Sequence, residues 1–249
     1  MTDRLAAAEA LLADLVGFAS ISGQPNGDIV NYIKTYLESY GVIVHLDSHE
    51  DGQRFNLFAS IGPKIDGGIL LSGHLDVVPA NPAGWSRDPF ILHKQDGRLY
   101  GRGAVDMKGF LAIALAMVPA FQEAASQLAK PVHFAFTFDE EVGSFGAAQM
   151  PSMMDRLGVK PAIAVVGEPT GMKPFIGHKG GLELIADIRG TAGHASDPRG
   201  KVNTLYYAAR LISHLEDKAR SLASQPRYDT PFDPPYTTIS VGHITGGEA

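Results

Sequence analysis

The sequence predicts an α/β fold with a mixed, largely parallel sheet flanked by helices, followed by part of a second, α+β domain. Short apolar strands alternate with helical patterns over residues 1–176, and this alternation changes near Gly177. The 249 residues are 45% hydrophobic and 19% charged, a composition typical of a packed core and not of a disordered chain. We therefore expect two domains, over residues 1–176 and 177–249.

The charge balance and the absence of cysteine exclude several function classes. Lys and Arg number 21 and Asp and Glu 27, so the net charge is −6, and no basic block favours nucleic-acid binding. Without cysteine there is no disulfide scaffold, Cys-ligated metal or Cys nucleophile. The first 20 residues lack the pattern of a signal peptide, and the apolar run at 110–121 is shorter than the ~20 residues that span a bilayer. We expect a soluble, cytoplasmic protein with no membrane or nucleic-acid partner.

Apolar spacing predicts the elements of the first domain in chain order. Residues 1–20 have an amphipathic helical pattern, and its inward face holds Leu5, Leu12, Leu15 and Ala19. A second helix has apolar residues at steps of four, three and four before Gly41, namely Ile29, Ile33, Tyr36 and Tyr40. Further helices are predicted at 108–118 and 147–157, and strands at 42–46, 55–61, 69–72, 132–138 and 162–166, the last of them short and buried.

The pattern of the second domain is β–α–β. Strands are predicted at residues 180–189 and 237–241, with a long amphipathic helix at 203–223 between them. A stretch at 225–235 contains the four prolines Pro226, Pro231, Pro234 and Pro235. This segment has the pattern of the start of a domain with its own sheet.

Metal-capable side chains follow three of the predicted strands. They are His74 and Asp76 after strand 69–72, Asp139, Glu140 and Glu141 after strand 132–138, and Glu168 after strand 162–166. Because the ligand crevice of an open parallel sheet lies at the carboxyl ends of its strands, this one His and these five carboxylates can meet in one cleft. Asp106, in the Gly-rich entry to a helix at 101–109, is a fourth contribution.

Imidazole and carboxylate without thiolate suit a catalytic zinc or a similar divalent ion. Residues two apart in an extended segment point to the same side, so His74 can bind metal while Asp76 accepts its other ring N–H. The adjacent Glu140 and Glu141 diverge, so one can bind metal while the other faces an attacking water. Several carboxylates beside a single His also favour two metals bridged by one carboxylate.

Taken singly, each motif has an ordinary structural interpretation. A His-x-Asp pair is most often a surface pair or part of a core, and an acidic triplet is most often a solvated turn. A Gly-rich helix entry can be a phosphate-binding nest, although Asp106 would repel an anion here. The coincidence of these three motifs with Glu168, which follows a further strand, favours a metal site.

In these motifs the sequence resembles the dinuclear-zinc deacylases and exopeptidases, a family that includes acetylornithine deacetylase, succinyl-diaminopimelate desuccinylase and carboxypeptidase G. The motifs occur in the family's order at residues 74–79, 85–90, 101–109, 139–141, 167–170 and 193–196. Within the family the chain is most similar to the acetylornithine deacetylases, at residues 54–62, 177–180, 196–200 and 241–247. The resemblance implies a zinc exopeptidase-like catalytic domain followed by part of a lid or dimerisation domain.

The resemblance also implies a role for each site residue. His74 and Glu168 bind the first of two Zn²⁺ or Co²⁺ ions, Glu141 binds the second, and Asp106 bridges them. Glu140 is the general base of amide hydrolysis, and Asp76 orients His74. His194, in the lid domain, reaches the neighbouring subunit of a homodimer and polarises the scissile carbonyl. The implied substrate is a small N-acyl amino acid, with N-acetyl-ornithine of arginine biosynthesis first.

The chain departs from the family in one respect. Members continue past the lid domain and supply a last His ligand for the second metal, and neither His214 nor His243, which follow His194, matches it. We therefore expect an incomplete N-terminal fragment that is inactive alone and prone to associate.

Two alternatives stay open. Within the enzyme class, the protein is a succinyl-diaminopimelate desuccinylase or another N-acyl-amino-acid hydrolase. From a different class, it is a non-catalytic scaffold that binds metal or dimerises without turnover.

Overall fold

The computed structural model divides into two compact units, Met1–Met172 and Lys173–Ala249, which we describe separately. The structure describes residues 2–197, 199–225 and 230–247. Pro198 of the 196–200 motif, Pro226 of the proline-rich stretch and the last two residues of the chain lie outside the described residues.

The first unit combines helices with one main sheet and one small hairpin. Its helices are α1 (Thr2–Gly17), α2 (Gly27–Ser39), α3 (Gly109–Ala116), α4 (Val118–Glu123) and α5 (Phe145–Leu157). Its strands are β1 (Val44–Ser48), β2 (Phe55–Ile61), β3 (Ile69–His74), β4 (His93–Gln95), β5 (Arg98–Tyr100), β6 (Val132–Thr137) and β7 (Ile163–Val166). A 3₁₀ turn at Pro82–Gly84 and a π-type turn at Ala104–Lys108 complete it.

The main sheet has the order β1-β2-β6-β3-β7. β1 with β2 and β2 with β6 are antiparallel, whereas β3 is parallel to both β6 and β7. The sheet is therefore mixed, as predicted. In the register of the parallel strands His74 lies beside Thr137 and Ser72 beside Val166. The carboxyl ends of β3, β6 and β7 thus meet at one edge, which is where the candidate site residues follow.

The core lies where α1, α2 and α3 pack on the sheet. Its fully buried side chains include Leu15, Ile33, Leu37, Leu57, Leu111, Leu115, Phe134 and Phe136. The predicted inward face of α1 is wrong at Leu5, which is 64% exposed, and at Ala19, which is also exposed. The buried face is confined to the second half of the helix, at Leu11, Leu12, Leu15 and Val16.

The second helix ends where its sequence predicts. Gly41 has a φ of +75°, a left-handed conformation in which a side chain is disfavoured, and it follows the last turn of α2. The buried positions of α2 are Ile29, Val30, Ile33 and Leu37. Tyr40, expected on the inward face, is 38% exposed because it lies beyond the end of the helix.

The apolar segment after the Gly-rich motif is broken into three pieces. The predicted helix at 108–118 is preceded by the π-type turn, and it gives way to α4 at Val118. Pro119 stands in the first turn of α4, where its missing N–H is tolerated. The helical stretch Ala104–Glu123 is 20 residues long and, by length and composition only, long and apolar enough to cross a membrane. The core helix of a soluble protein has the same properties, and this stretch is 44% buried within the fold.

The strand β7 is exposed, although its sequence predicts a buried strand. Ile163 and Val166 are each 58% exposed and Val165 is 43% exposed. Among the described residues β7 pairs only with β3, so it is an edge strand of the sheet.

The second unit contains the predicted long helix, α6 (Thr204–Ala223). The Asn203 side chain caps this helix, because its Oδ1 accepts the N–H of Leu205 at 3.0 Å. The strands predicted at 180–189 and 237–241 are absent from the described part of this unit, where Thr191 and Val202 form an isolated bridge. The alternating apolar residues of the first segment are exposed without a described partner strand, and Leu182 and Ile185 are 83% and 95% exposed.

Candidate metal centre

His74 is the last residue of β3, and its imidazole is buried. Nδ1 donates to the backbone carbonyl of Asp76 at 2.9 Å, which leaves Nε2 facing two carboxylates. Nε2 lies 2.9 Å from Asp106 Oδ1 and 3.9 Å from Glu168 Oε1. The hydrogen bond at Nδ1 therefore fixes the orientation of the ring, and it leaves Nε2 beside the carboxylates at the carboxyl ends of the strands.

Asp106 reaches this edge from the turn between the Gly-rich motif and α3. The preceding Gly103 has a φ of +77°, and a Cβ there would lie 2.5 Å from Val77 Cγ1. Gly109 is equally restricted, since its Cβ would lie 2.5 Å from the Ala104 carbonyl oxygen. These two glycines let the turn fold back tightly, and it then presents Asp106 with its side chain 49% exposed.

The ligand atoms of His74, Asp106 and Glu168 all lie within 4.8 Å of one another. Zinc bonds to nitrogen and oxygen measure ~2.0–2.2 Å, so two ligands of a tetrahedral ion lie roughly 3.4 Å apart. The His74 distances of 2.9 and 3.9 Å bracket that separation. Hard carboxylates with one imidazole also match the ligands of a catalytic zinc or a similar divalent ion, so the residues fit such a metal.

Charge crowding around the three ligands supports the same conclusion. Burial, together with the negative charge of Asp106, raises the pKa of Glu168 and of Glu141 above the usual range of a glutamate. Burial alone would lower the pKa of His74, but Asp76, Asp106 and Glu168 outweigh it and raise that pKa to about 9. The site therefore has more negative charge than its one imidazole offsets, which favours a bound cation.

Asp76 contacts His74 differently from the prediction. The backbone carbonyl accepts the ring N–H, while the nearer carboxylate oxygen is 3.5 Å from Nδ1, so we assign the hydrogen bond to the carbonyl. The carboxylate binds the backbone N–H groups of Glu140 at 3.0 Å and of Glu141 at 3.3 Å, and the Ser22 hydroxyl at 2.7 Å. Burial would raise the pKa of the Asp76 carboxyl, but the adjacent His74 imidazole and the hydrogen bonds from Ser22 and Glu140 leave it lowered.

Glu140 and Glu141 follow β6 in the turn that this carboxylate holds. Both are partly buried, and the charges of Asp106 and His74 act on the Glu141 carboxyl. Glu141 is nevertheless not in the group whose ligand atoms lie within 4.8 Å. Its assignment to a second ion, and that of Glu140 as base, stay predictions.

His194 belongs to the second unit, where it is exposed. Its Nδ1 lies 2.6 Å from the Ser196 hydroxyl and accepts the backbone N–H of Ser196 at 3.2 Å. Its role across a dimer stays a prediction.

Sequence reasoning missed several residues that hold the site together. Lys108 is fully buried and donates to the carbonyls of Leu15 at 2.9 Å and Phe18 at 2.7 Å. Asn56 is buried within β2. A lone charged or amide residue inside an apolar segment is the signal that could have marked both as buried polar groups, because such groups need partners. Nothing in the sequence identifies those partners.

Comparisons with known proteins agree with this geometry. The model of the family described as Peptidase family M20/M25/M40 matches residues 70–241. The acetylornithine deacetylase of Proteus mirabilis (strain HI4320) is 36% identical in an alignment that covers 96% of this chain and 62% of that protein. The chain thus spans less than two thirds of the length of this curated relative.

Solved structures share the fold. Human carnosine dipeptidase 1 has a TM-score of 0.55 at 28% identity, over 64% of this chain and 37% of that one. An M20 family metallo-carboxypeptidase of Sulfolobus solfataricus has a TM-score of 0.54 at 26% identity, over 64% and 37%. A tripeptidase of Staphylococcus aureus has a TM-score of 0.63 at 21% identity, over 98% and 62%, and this last likeness shows the fold alone. Together they confirm the predicted α/β, zinc exopeptidase-like fold.

Proposed function

Because the chain belongs to peptidase family M20/M25/M40, we propose that the whole protein is a metal-dependent amide hydrolase that converts Nα-acetyl-ornithine to ornithine and acetate. The observation that carries the proposal is the convergence of His74, Asp106 and Glu168 at the carboxyl ends of β3 and β7 and at the entry to α3. The similarity to an acetylornithine deacetylase supports the choice of acyl group and amine.

In this proposal, some residues of this chain bind the metal ions and others transfer protons or stabilise developing charge. His74, Asp106 and Glu168 would hold one Zn²⁺ or Co²⁺, and Asp106 with Glu141 would hold a second. Such ions, when bound, polarise a carbonyl and acidify water. Glu140 takes the proton of the attacking water and later delivers it to the leaving amine. His194 donates to the carbonyl oxygen as negative charge develops there.

Three further parts of the proposal rest on the resemblance to the acetylornithine deacetylases and on composition. The protein acts in arginine biosynthesis, it is cytoplasmic, and it is a homodimer joined through the second unit. The dimer matters for the chemistry, because His194 would act in the neighbouring subunit.

The test measures ornithine release by the complete protein loaded with Zn²⁺ or Co²⁺. We expect kcat/KM for Nα-acetyl-ornithine to exceed that for N-succinyl-diaminopimelate by roughly 100-fold or more. The isosteric variant Glu140→Gln, which keeps the shape but removes the base, controls for contaminating hydrolases.

Two results would favour the alternatives. A reversed substrate preference identifies a desuccinylase. A complete protein that retains its metal but hydrolyses neither these two substrates nor any other N-acyl amino acid is a scaffold.

A further inference from the structure

A buried ion pair stands at the start of the turn that carries Glu140 and Glu141. Arg54 lies just before β2, and its Nη1 donates to Oδ2 of Asp139, the residue that precedes Glu140. The side chain of Asp139 is 2% exposed and that of Arg54 is 16% exposed. The other Asp139 oxygen accepts the backbone N–H of Gly23 at 2.7 Å. Both carboxylate oxygens are therefore occupied, and Asp139 is not among the candidate metal ligands His74, Asp106 and Glu168.

The remaining nitrogens of Arg54 are also paired. Nε donates to Asp51 Oδ2 at 2.7 Å, and Nη2 lies 2.9 Å from His49 Nδ1. The guanidinium stands 5.6 Å from the centre of the Phe138 ring. A planar guanidinium held at three nitrogens and against a ring has one orientation, which a lysine ammonium cannot reproduce.

The same strand fixes the two ends of the turn. Asn56, two residues after Arg54, accepts the Phe138 N–H at 3.3 Å and donates to the Gly146 carbonyl at 2.9 Å. Asp139 itself has a φ of +53°, a left-handed conformation that aspartate tolerates better than most residues. The turn is thus tied to β2 at its ends and at Asp139, and to the Asp76 carboxylate through the N–H groups of its two glutamates.

From these contacts we infer that Arg54 is a positioning residue, which acts through Asp139 to set where Glu140 and Glu141 stand relative to the His74, Asp106 and Glu168 ligands. This inference rests on the proposed function, because it assigns Glu141 to a second metal. Removing one partner leaves an uncompensated buried charge, so the turn is expected to loosen where the pair is broken.

The test uses two measurements that need no turnover, one on the 249-residue chain and the metal titration on the complete protein, in which we expect the last ligand of the second metal. The first is amide hydrogen exchange of residues 139–144, and the second is a Co²⁺ titration followed by the visible spectrum of the bound ion. In Arg54→Met we expect exchange of the turn to rise roughly 10-fold or more, while β3 and β6 keep their protection. The first Co²⁺ keeps its spectrum, and the second binds roughly 10–100-fold more weakly.

Companion variants keep the test decisive. Arg54→Lys retains the positive charge but lacks the planar guanidinium. It should therefore keep part of the exchange protection of the turn and part of the affinity for the second Co²⁺. Arg156→Met, which breaks an ion pair to Asp47 from a side chain that is 60% exposed, should match the wild type in both measurements. Should Arg54→Met fail to fold, Asp139→Asn, which keeps the shape of the side chain and removes its charge, should show the same loosening.

The outcomes separate this inference from the proposed function. A wild-type chain that binds no Co²⁺ contradicts the proposed function and this inference with it. A wild-type chain that binds Co²⁺, with exchange and affinity unchanged in Arg54→Met and Asp139→Asn, contradicts the role of Arg54 alone.

Discussion

Asp76 Oδ1 accepts the backbone N–H of Glu140 at 3.0 Å, while the carbonyl of the same aspartate accepts the ring N–H of His74 at 2.9 Å. One residue therefore links the metal-facing imidazole to the turn of the proposed base. Its carboxylate accepts hydrogen bonds from the turn, and its main-chain carbonyl accepts the hydrogen bond from the histidine. A substitution of the side chain thus disturbs the turn more than the histidine.

We predict that Asp76→Asn weakens metal binding or activity by ~10–100-fold without eliminating the site. The amide offers one acceptor oxygen where the carboxylate offers two, and the His74 contact to the carbonyl survives. Metal content after dialysis and kcat/KM of the complete protein check this, with Asp47→Asn on the edge strand β1 as the matched control. Loss of all metal would show that Asp76 is itself a ligand.

The adjacent glutamates are expected to behave differently from each other. Glu140→Ala should abolish turnover of the complete protein and leave its metal content nearly unchanged, because the proposed base would face the attacking water and not a metal. Glu141→Ala should lose metal as well, because its carboxylate is the proposed ligand of the second ion. Metal analysis of the two purified variants decides between these roles, and equal metal loss in both would overturn the assignment.

Lys108 is predicted to stabilise the fold by capping the carboxyl end of α1. Its ammonium donates to the carbonyl of Leu15 in the last turn of α1 and to that of Phe18 just after it, and each carbonyl also accepts one backbone N–H. Lys108→Met should lower the free energy of unfolding by about 1–3 kcal/mol, since both carbonyls lose a charged donor. Lys94→Met, which breaks an exposed pair with Glu9, should cost about 0–1 kcal/mol in the same denaturant titration. Equal effects of the two variants would contradict the capping role.

Acid is expected to destabilise the protein through His133. Burial lowers the pKa of His133, against the hydrogen bond that its Nε2 donates to the Gly67 carbonyl at 3.2 Å, while the Ser60 hydroxyl lies 2.7 Å from Nδ1. Above the unfolded pKa, about 6.5, both states are neutral and the full stability is present. As the pH falls below that value, the unfolded chain takes up the proton first, so the free energy of unfolding falls.

Denaturant titrations between pH 7.5 and pH 5 check this prediction, with His133→Gln compared with the wild type. The variant should lose part of the pH dependence, and His45→Gln, at an exposed position of β1, should keep it. A pH profile of His133→Gln identical to that of the wild type would contradict the assignment.

How much of this could be predicted from sequence depends on the range of the interaction. The strand at 55–61 and the end of α2 at Gly41 are encoded by local patterns, and both were predicted correctly. Ordering along the chain also indicates that His74 and Glu168 meet, because parallel strands place their carboxyl ends together. The contact of Lys108 with Leu15 of α1 joins residues 93 positions apart, and that of Arg54 with Asp139 joins residues 85 positions apart. No local pattern encodes such pairs.

Burial was less predictable than element type. The apolar sequence of β7 indicates a buried strand, yet burial depends on what packs over the strand, which the sequence of the strand does not contain. The second unit shows the same effect, since alternating apolar residues at 180–189 form no strand without a described partner. Which atom of Asp76 binds His74 depends on backbone geometry after β3, and residue spacing alone cannot distinguish carbonyl from carboxylate.

The most direct test of the metal centre is Zn²⁺ binding by the chelator-treated 249-residue chain, measured by equilibrium dialysis with metal analysis. We predict at least one Zn²⁺ per chain, lost in His74→Ala, where the only imidazole of the group is removed, and retained in His45→Ala, at an exposed position of β1. A chain that binds no Zn²⁺, or a His74→Ala variant that binds as much as the wild type, would contradict the account.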